Sequence, residues 1–294
     1  MQGLWARHHG LAGKSLEQIL LTQIEHHRTE VFYNLDPMRY GSDFVRKLPG
    51  CVKKSICWRA APSGSADLSG YDLVVCNFPS ILDDWRERTC RVAYFFPAHD
   101  PVMDSYASAR REEVDLLFIG GFSRHHRSRV AALMAAASVP GIRARLHLED
   151  SRLTRLANLL PFLPLLGEFR HPAEIRRQRA GPLYGRDLYA AMASARIVLN
   201  GAIDMAGEDR GNMRCFEAVG CGAVLLTDAG RYPEGFAEGE TMVTYASADE
   251  IPRLVERLIT DADWANAIAA AGHAMVRSRY SKERQWARFQ ELCD

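Results

Sequence analysis

The chain has 294 residues, enough for two α/β domains that each bury a core. With 47% hydrophobic and 25% charged residues it reads as a folded globular protein, not a disordered or fibrous one. A formal net charge of +1 argues against generic polyanion binding, so nucleic acid is not an expected partner.

No stretch reaches the ~20 consecutive apolar residues of a membrane span, and MQGLWARHHGLAGKS lacks the apolar centre of a secretory signal. A cytoplasmic location follows as the expectation. Cys51, Cys57, Cys76, Cys90, Cys215, Cys221 and Cys293 include no CxxC pair and read as reduced thiols that pack as small hydrophobes.

At the N-terminus, HHGLAGKS resembles a phosphate loop only superficially. His8 stands where that loop needs glycine, and no strand precedes it. The adjacent histidines at 8 and 9, 26 and 27, and 125 and 126 point to different sides of any regular element, so no metal site is expected.

EVFYNLDP, SICWRAAP, DLVVCNFP and RVAYFFPA are short apolar runs bounded by turn residues, the pattern of buried parallel strands. They make an N-terminal unit, residues 1–108. It lacks the glycine-rich strand-to-helix turn that opens a doubly wound domain, and its first clear strand comes only near Val31, so it reads as truncated. The join falls in HDPVMDSYASARREE, residues 99–113, which is polar and without apolar periodicity.

VDLLFIGGF, ARLHLED, ARIVLNGA, AVLLTDA and TMVTYAS supply the strands of a second unit, residues 109–280, alternating with helices such as RSRVAALMAAAS and YGRDLYAAMASA. The closing helix, within 281–294, has nothing behind it locally and is expected to cross back to the first unit. RLTRLANLLPFLPLLGEF (152–169) is the most apolar stretch, broken by Pro161 and Pro164. It reads first as a core helix and connection. Arg170, Arg176, Arg177 and Arg179 beside it keep a peripheral membrane contact open.

Two segments carry candidate chemistry. In DLLFIGGFSRHHRSRV a strand runs into Gly120 and Gly121 and then a basic helix start with Arg124, Arg127 and Arg129; this is either a tight turn or a phosphate cradle. In RGNMRCFEAVGCGAVLLTDAG, Asn212 as N-cap puts Met213 and Phe216 on the core face and Arg214 and Glu217 together on another. That pair is either an ion pair or a site for a ligand with an anionic part and vicinal hydroxyls.

The order VLN, R-x-x-EA-x-G-x-GA-x-LLTD, EGF and RYSKERQ resembles the donor-binding half of GT-B glycosyltransferases, and most of all the CgeB-type spore-maturation group among the family-1-like transferases. The resemblance extends over about 114–290 and more loosely over 30–100. It implies an α/β fold of two Rossmann-like, doubly wound domains facing a cleft. It also implies a hexosyltransferase-like activity with a nucleotide-diphosphate sugar as donor substrate, no cofactor and no metal. By position, Glu217 would meet the donor ribose, Arg214 and the Gly120-Gly121 loop would lie near the diphosphate, and Asn200 would line the cleft; Arg124 and Asn212 are further candidates for donor binding. Asp209 stands where many retaining members carry the first of two glutamates, so the stereochemical course is open. His99, with Asp100 beside it, is the candidate general base, with a structural turn as the competing reading. The acceptor is open among polysaccharide, lipid-linked and protein hydroxyls. A non-catalytic nucleotide-sugar binder and a sugar-nucleotide epimerase remain alternatives.

Overall fold

The computed structural model describes residues 8–11, 13–122, 127–160, 162–201 and 204–294. They fall into two compact units, one running to Phe96 and taken up again at Trp286–Asp294, the other Pro97–Gln285. The division therefore lies before the expected join. The segment 99–113 is not a linker: it folds as a helix, Val102–Ser108, whose Met103 is buried in the second unit.

In the first unit, α1 (Leu16–His26) starts where the GKS motif ends. Ser15 is its N-cap, and Ser15 and Gln18 exchange backbone-to-side-chain hydrogen bonds in a capping box. That accounts for a serine in this place without any phosphate. Strands β1 (Val31–Asn34), β2 (Lys54–Trp58), β3 (Leu73–Cys76) and β4 (Val92–Tyr94) form a parallel sheet in the order 1-2-3-4. α2 (Ser42–Val45) joins β1 to β2, and α3 (Pro79–Glu87) joins β3 to β4. Among the described strands this order has no reversal, so the unit has no topological switch point of its own. Ile56 and Val75 share a cluster with Leu292, and Tyr33 and Phe95 meet Phe289.

The second unit reads differently. It comprises α4 (Val102–Ser108), β5 (Val114–Phe122), α5 (Arg127–Ala137), β6 (Ala144–Asp150), α6 (Arg152–Leu159), α7 (Ala173–Gln178), β7 (Arg179–Ala180), α8 (Gly185–Ala193) and β8 (Ala195–Leu199). These are followed by α9 (Met213–Gly220), β9 (Val224–Asp228), β10 (Val243–Tyr245), α10 (Ile251–Thr260), α11 (Ala262–Arg279) and α12 (Lys282–Cys293), the last ending in the first unit. Its sheet is parallel in the order 10-9-8-5-6-7. The direction of winding reverses between β5 and β8, which makes it doubly wound and places the switch point at the carboxyl ends of those two strands. Leu116, Phe118, Leu146 and Leu148 pack with Leu133 of α5, Ile175 of α7 and Val255 of α10. The alternate residues Leu117, Val198 and Leu225 are equally buried and face the other side, where α8 packs on β8 and α9 on β9.

Both glycines of GCGA are fixed by packing and backbone geometry. A Cβ on Gly220 would stand 2.6 Å from Met103 Sδ and 3.1 Å from His99 Nδ1. Gly222, just past the Cys221 C-cap, has φ +79° and turns the chain from α9 into β9. Among the described residues no helix is long and apolar enough to cross a membrane.

The stretch 152–169 does not form a core helix. α6 buries Thr154 and Ala157 and leaves Leu153, Leu156 and Leu159 exposed.

Candidate functional site

The switch point gathers side chains from four elements. Asn200, directly after β8, is buried; its Nδ2 donates to Thr227 Oγ1 of β9 at 3.1 Å and lies 3.4 Å from Cys215 Sγ. Asn212 is the N-cap residue of α9 by backbone geometry, but its side chain makes no capping bond. Its Nδ2 donates instead to Asn200 Oδ1 at 3.3 Å. Tyr245, ending β10, donates its hydroxyl to the Asn200 carbonyl at 3.0 Å. Asn200 is thus a buried polar node that holds together the ends of β8, β9 and β10 and the start of α9.

On the α5 side of this node is a pocket of about 440 Å³. Ser128, Arg129, Gly201, Arg210, Asp228 and Ser247 are among its lining residues. Arg129 lies in the first turn of α5 and donates to the Gly201 carbonyl at 3.1 Å and to the Gly121 carbonyl at 3.4 Å, tying the ends of β8 and β5 together. Opposite it, Arg210 Nε sits 2.5 Å from Asp228 Oδ2, and Arg210 NH1 donates to the Gly207 carbonyl at 2.6 Å. Two guanidiniums, one carboxylate, two serine hydroxyls and a helix start converge on one concave surface. This donor set can hold a phosphate group and a hydroxyl-bearing moiety together.

On the α8 side, Arg214 NH1 lies 2.6 Å from Glu217 Oε2. Both side chains are largely covered. Burial pushes the Glu217 carboxyl up from the usual range and outweighs the attraction of Arg214. The Glu217 charge is felt by Tyr189 of α8, whose phenol is also pushed up, first by its own burial. Arg214 and Glu217 do share a face, as the helix spacing requires. That face is turned towards α8, and neither residue lines the pocket. Met213, expected in the core, is 60% exposed, whereas Phe216 is buried against Phe236 and Tyr280.

Several expectations need correction. Gly120 and Gly121 are not a turn after the strand: β5 continues through Phe122, with Gly120 opposite Leu148 and Gly121 opposite Glu149 of β6. A Cβ on Gly120 would come 3.0 Å from the Phe118 ring, and the Gly121 carbonyl is engaged by Arg129. Both glycines therefore belong to the strand paired with β6 and form no loop. Arg124 lies outside the described residues; Arg129, from the same basic segment, is the arginine that reaches the edge. Asp209 is fully buried with an ion pair to Arg231 NH2 at 2.8 Å, so in this structure its carboxylate is not presented to a ligand.

His99 belongs to the second unit, not the first, and is a buried structural centre. Its Nε2 lies 2.9 Å from Asp104 Oδ1, its backbone N–H donates to the Tyr280 carbonyl at 2.7 Å, and His273 and Arg277 gather round the same Asp104. The turn reading, not the general base, fits that position. Arg210 and Asp228 were not singled out from sequence. The available signal was an arginine in the polar loop EDRGN and an aspartate closing a strand, both placed at a carboxyl edge where ligands collect.

A doubly wound parallel sheet in one unit and a second parallel α/β unit define the GT-B glycosyltransferase class of fold. Residues 126–291, more than half of the chain, match the family described as glycosyl transferase-like, and the chain belongs to that family. No curated protein matches it. Among solved structures it is similar to HepE from Anabaena in complex with UDP and glucose, at 12% identity and TM-score 0.64 over 94% of this chain and 81% of that one. It is similar also to α,α-trehalose 6-phosphate synthase from Burkholderia multivorans (13%, TM-score 0.61, 94% and 73%). A third is sucrose-phosphate synthase from Thermosynechococcus elongatus (14%, TM-score 0.57, 95% and 78%).

Proposed function

We propose that the chain is a glycosyltransferase of the CgeB-type group that moves a hexose from a nucleotide-diphosphate sugar to an acceptor hydroxyl. The observation that carries this is the carboxyl edge of the second sheet, where Arg129 and Arg210 flank one pocket together with Asp228. Breaking the sugar–phosphate bond develops negative charge on the departing nucleoside diphosphate. Arg129 and the first turn of α5 supply fixed positive charge for the diphosphate, and Arg210 supplies a second guanidinium across the pocket. Such cations perform the charge stabilisation that a bound metal performs elsewhere, so the reaction needs none. Asp228 accepts hydrogen bonds from sugar hydroxyls.

That neighbours such as HepE bind UDP and glucose supports a uridine or similar nucleotide as donor. A cytoplasmic setting suits seven free thiols. The test is thermal unfolding with UDP, GDP and ADP in turn, followed by a donor-hydrolysis assay with the corresponding nucleotide sugars. A stabilising nucleotide whose effect is lost in Arg129→Ala supports the reading. Stabilisation without any donor turnover would make the chain a nucleotide-sugar binder instead.

A further inference from the structure

α6 is amphipathic in the wrong direction for a helix of a globular core. A surface helix normally turns its leucines inward. Here Thr154 and Ala157 are the buried pair, and Leu153, Leu156 and Leu159 face solvent. The chain continues in the same manner through Phe162, Leu163 and Leu165. Leu159, Phe162 and Leu165 are 76%, 72% and 89% exposed, far beyond the scattered single leucines of an ordinary surface.

This projection has a defined shape. Arg170 Nε donates to the Ala157 carbonyl at 3.2 Å, and its NH2 donates to the carbonyls of Leu160, at 3.2 Å, and Leu163. Arg170 thereby satisfies the last carbonyls of α6 and fastens the following turn, Pro164–Phe169, onto the helix. The leucines are held out by a tied structure.

Charge identifies what covers them. From Arg152 to Arg179 the sequence holds Arg152, Arg155, Arg170, Arg176, Arg177 and Arg179 against Glu168 and Glu174, in a chain whose overall charge is only +1. Apart from Arg170, these arginines are exposed, Arg179 also reaching Asp150. Exposed leucines and a phenylalanine in one segment with exposed arginines are the combination that enters the interface of an anionic bilayer, apolar groups among the acyl chains and arginines at the phosphates. A second copy of the chain is a poorer occupant, because it would bring two arginine rims together.

We propose that residues 152–179 form a docking element for membrane surfaces that contain anionic phospholipid. The element grows from β6, whose Glu149 and Asp150 lie opposite Gly121 and Phe122 of β5, so docking holds the carboxyl edge of the second sheet near the bilayer. The proposal stands on exposure and charge and does not depend on the donor reading.

The test is co-sedimentation of the full chain with vesicles of phosphatidylcholine alone and of phosphatidylcholine with one-third phosphatidylglycerol. Binding is expected to the mixed vesicles, weakened by salt, and reduced roughly tenfold or more in Leu159→Ser/Phe162→Ser/Leu165→Ser. Arg176→Glu/Arg177→Glu, which leaves the apolar tip intact, is expected to lose the preference for phosphatidylglycerol. Unchanged thermal unfolding of either variant shows that the fold is kept. Absence of binding to both vesicle types, or equal binding by the triple variant, overturns the proposal. So does a wild-type dimer that the triple variant converts to monomer without any vesicle binding.

Discussion

Arg210 Nε and Asp228 Oδ2 stand 2.5 Å apart at the carboxyl edge of the second sheet, one from the loop before α9 and the other from the end of β9. The contact joins two segments that meet only because β8 and β9 are neighbours. It leaves a guanidinium and a carboxylate facing the same pocket, each with hydrogen-bonding capacity beyond the pair itself.

Gly230 sets the position of that arginine. A Cβ there would fall 2.6 Å from Arg210 Cγ and 2.7 Å from the Glu208 carbonyl oxygen, so Gly230→Ala must displace the Arg210 side chain or the loop beneath it. The variant is expected to lose about 1–3 kcal/mol of stability and to bind nucleotide more weakly. Urea unfolding and nucleotide titration of the same preparation check both effects.

Asn200→Ala removes the node shared by Thr227, Asn212 and the sulfur of Cys215. Asn212 Nδ2 then loses its acceptor, while Thr227 and Cys215 each lose a donor but keep other partners, at a cost of about 1–3 kcal/mol. Equilibrium denaturation gives the number. Hydrogen exchange at the end of β9 and the start of α9 is expected to quicken more than exchange in the first unit.

The Glu217 carboxyl contributes a pH dependence of definite sign. Its folded-state pKa is raised by burial above the unfolded value, so the folded chain binds the proton more tightly. Stability then falls as pH rises from the ordinary carboxylate range to the raised folded value, and the deficit is constant above it. Glu217→Gln is expected to flatten this fall, read from thermal unfolding between about pH 4 and pH 8. A steeper fall in the variant would show that Arg214, not burial, governs the carboxyl.

Burial also determines thiol reactivity. Cys57, Cys215 and Cys221 are buried and each is pushed up to about 12, first by desolvation. Cys51 and Cys293 are the two partly accessible thiols. Native labelling with iodoacetamide near neutral pH is expected to modify Cys51 and Cys293 well before the other five, and mass spectrometry of the digest identifies them.

The strands were legible because each is a short apolar run between turn residues, and the double winding followed from their alternation with helices. Element type was harder to read where packing decides it. The segment 99–113 looked like a linker because only Met103 of α4 is buried, and α4 exists through its contact with Gly220 and its neighbours, which is a tertiary fact. Gly120 and Gly121 looked like a turn because glycine usually marks one. Instead β6 extends the pairing through both. α6 reads as core for the opposite reason: apolar composition normally means burial, and the exposure of Leu153, Leu156 and Leu159 is a tertiary fact. At the site, the resemblance points to the carboxyl edge of the second sheet. It could not reveal that Arg210 and Asp228 meet there, because their contact depends on strand order.

The central claim is that the second sheet's carboxyl edge binds a nucleotide diphosphate, and nucleotide-dependent thermal unfolding tests it most directly. With ligand at about 100 times Kd, the account predicts roughly 2.7 kcal/mol of stabilisation by one of UDP, GDP and ADP. It also predicts that Arg129→Ala and Asp228→Asn, folded as judged by unfolding without ligand, largely lose the shift. No shift with any of the three, or a shift that both variants retain in full, would contradict it.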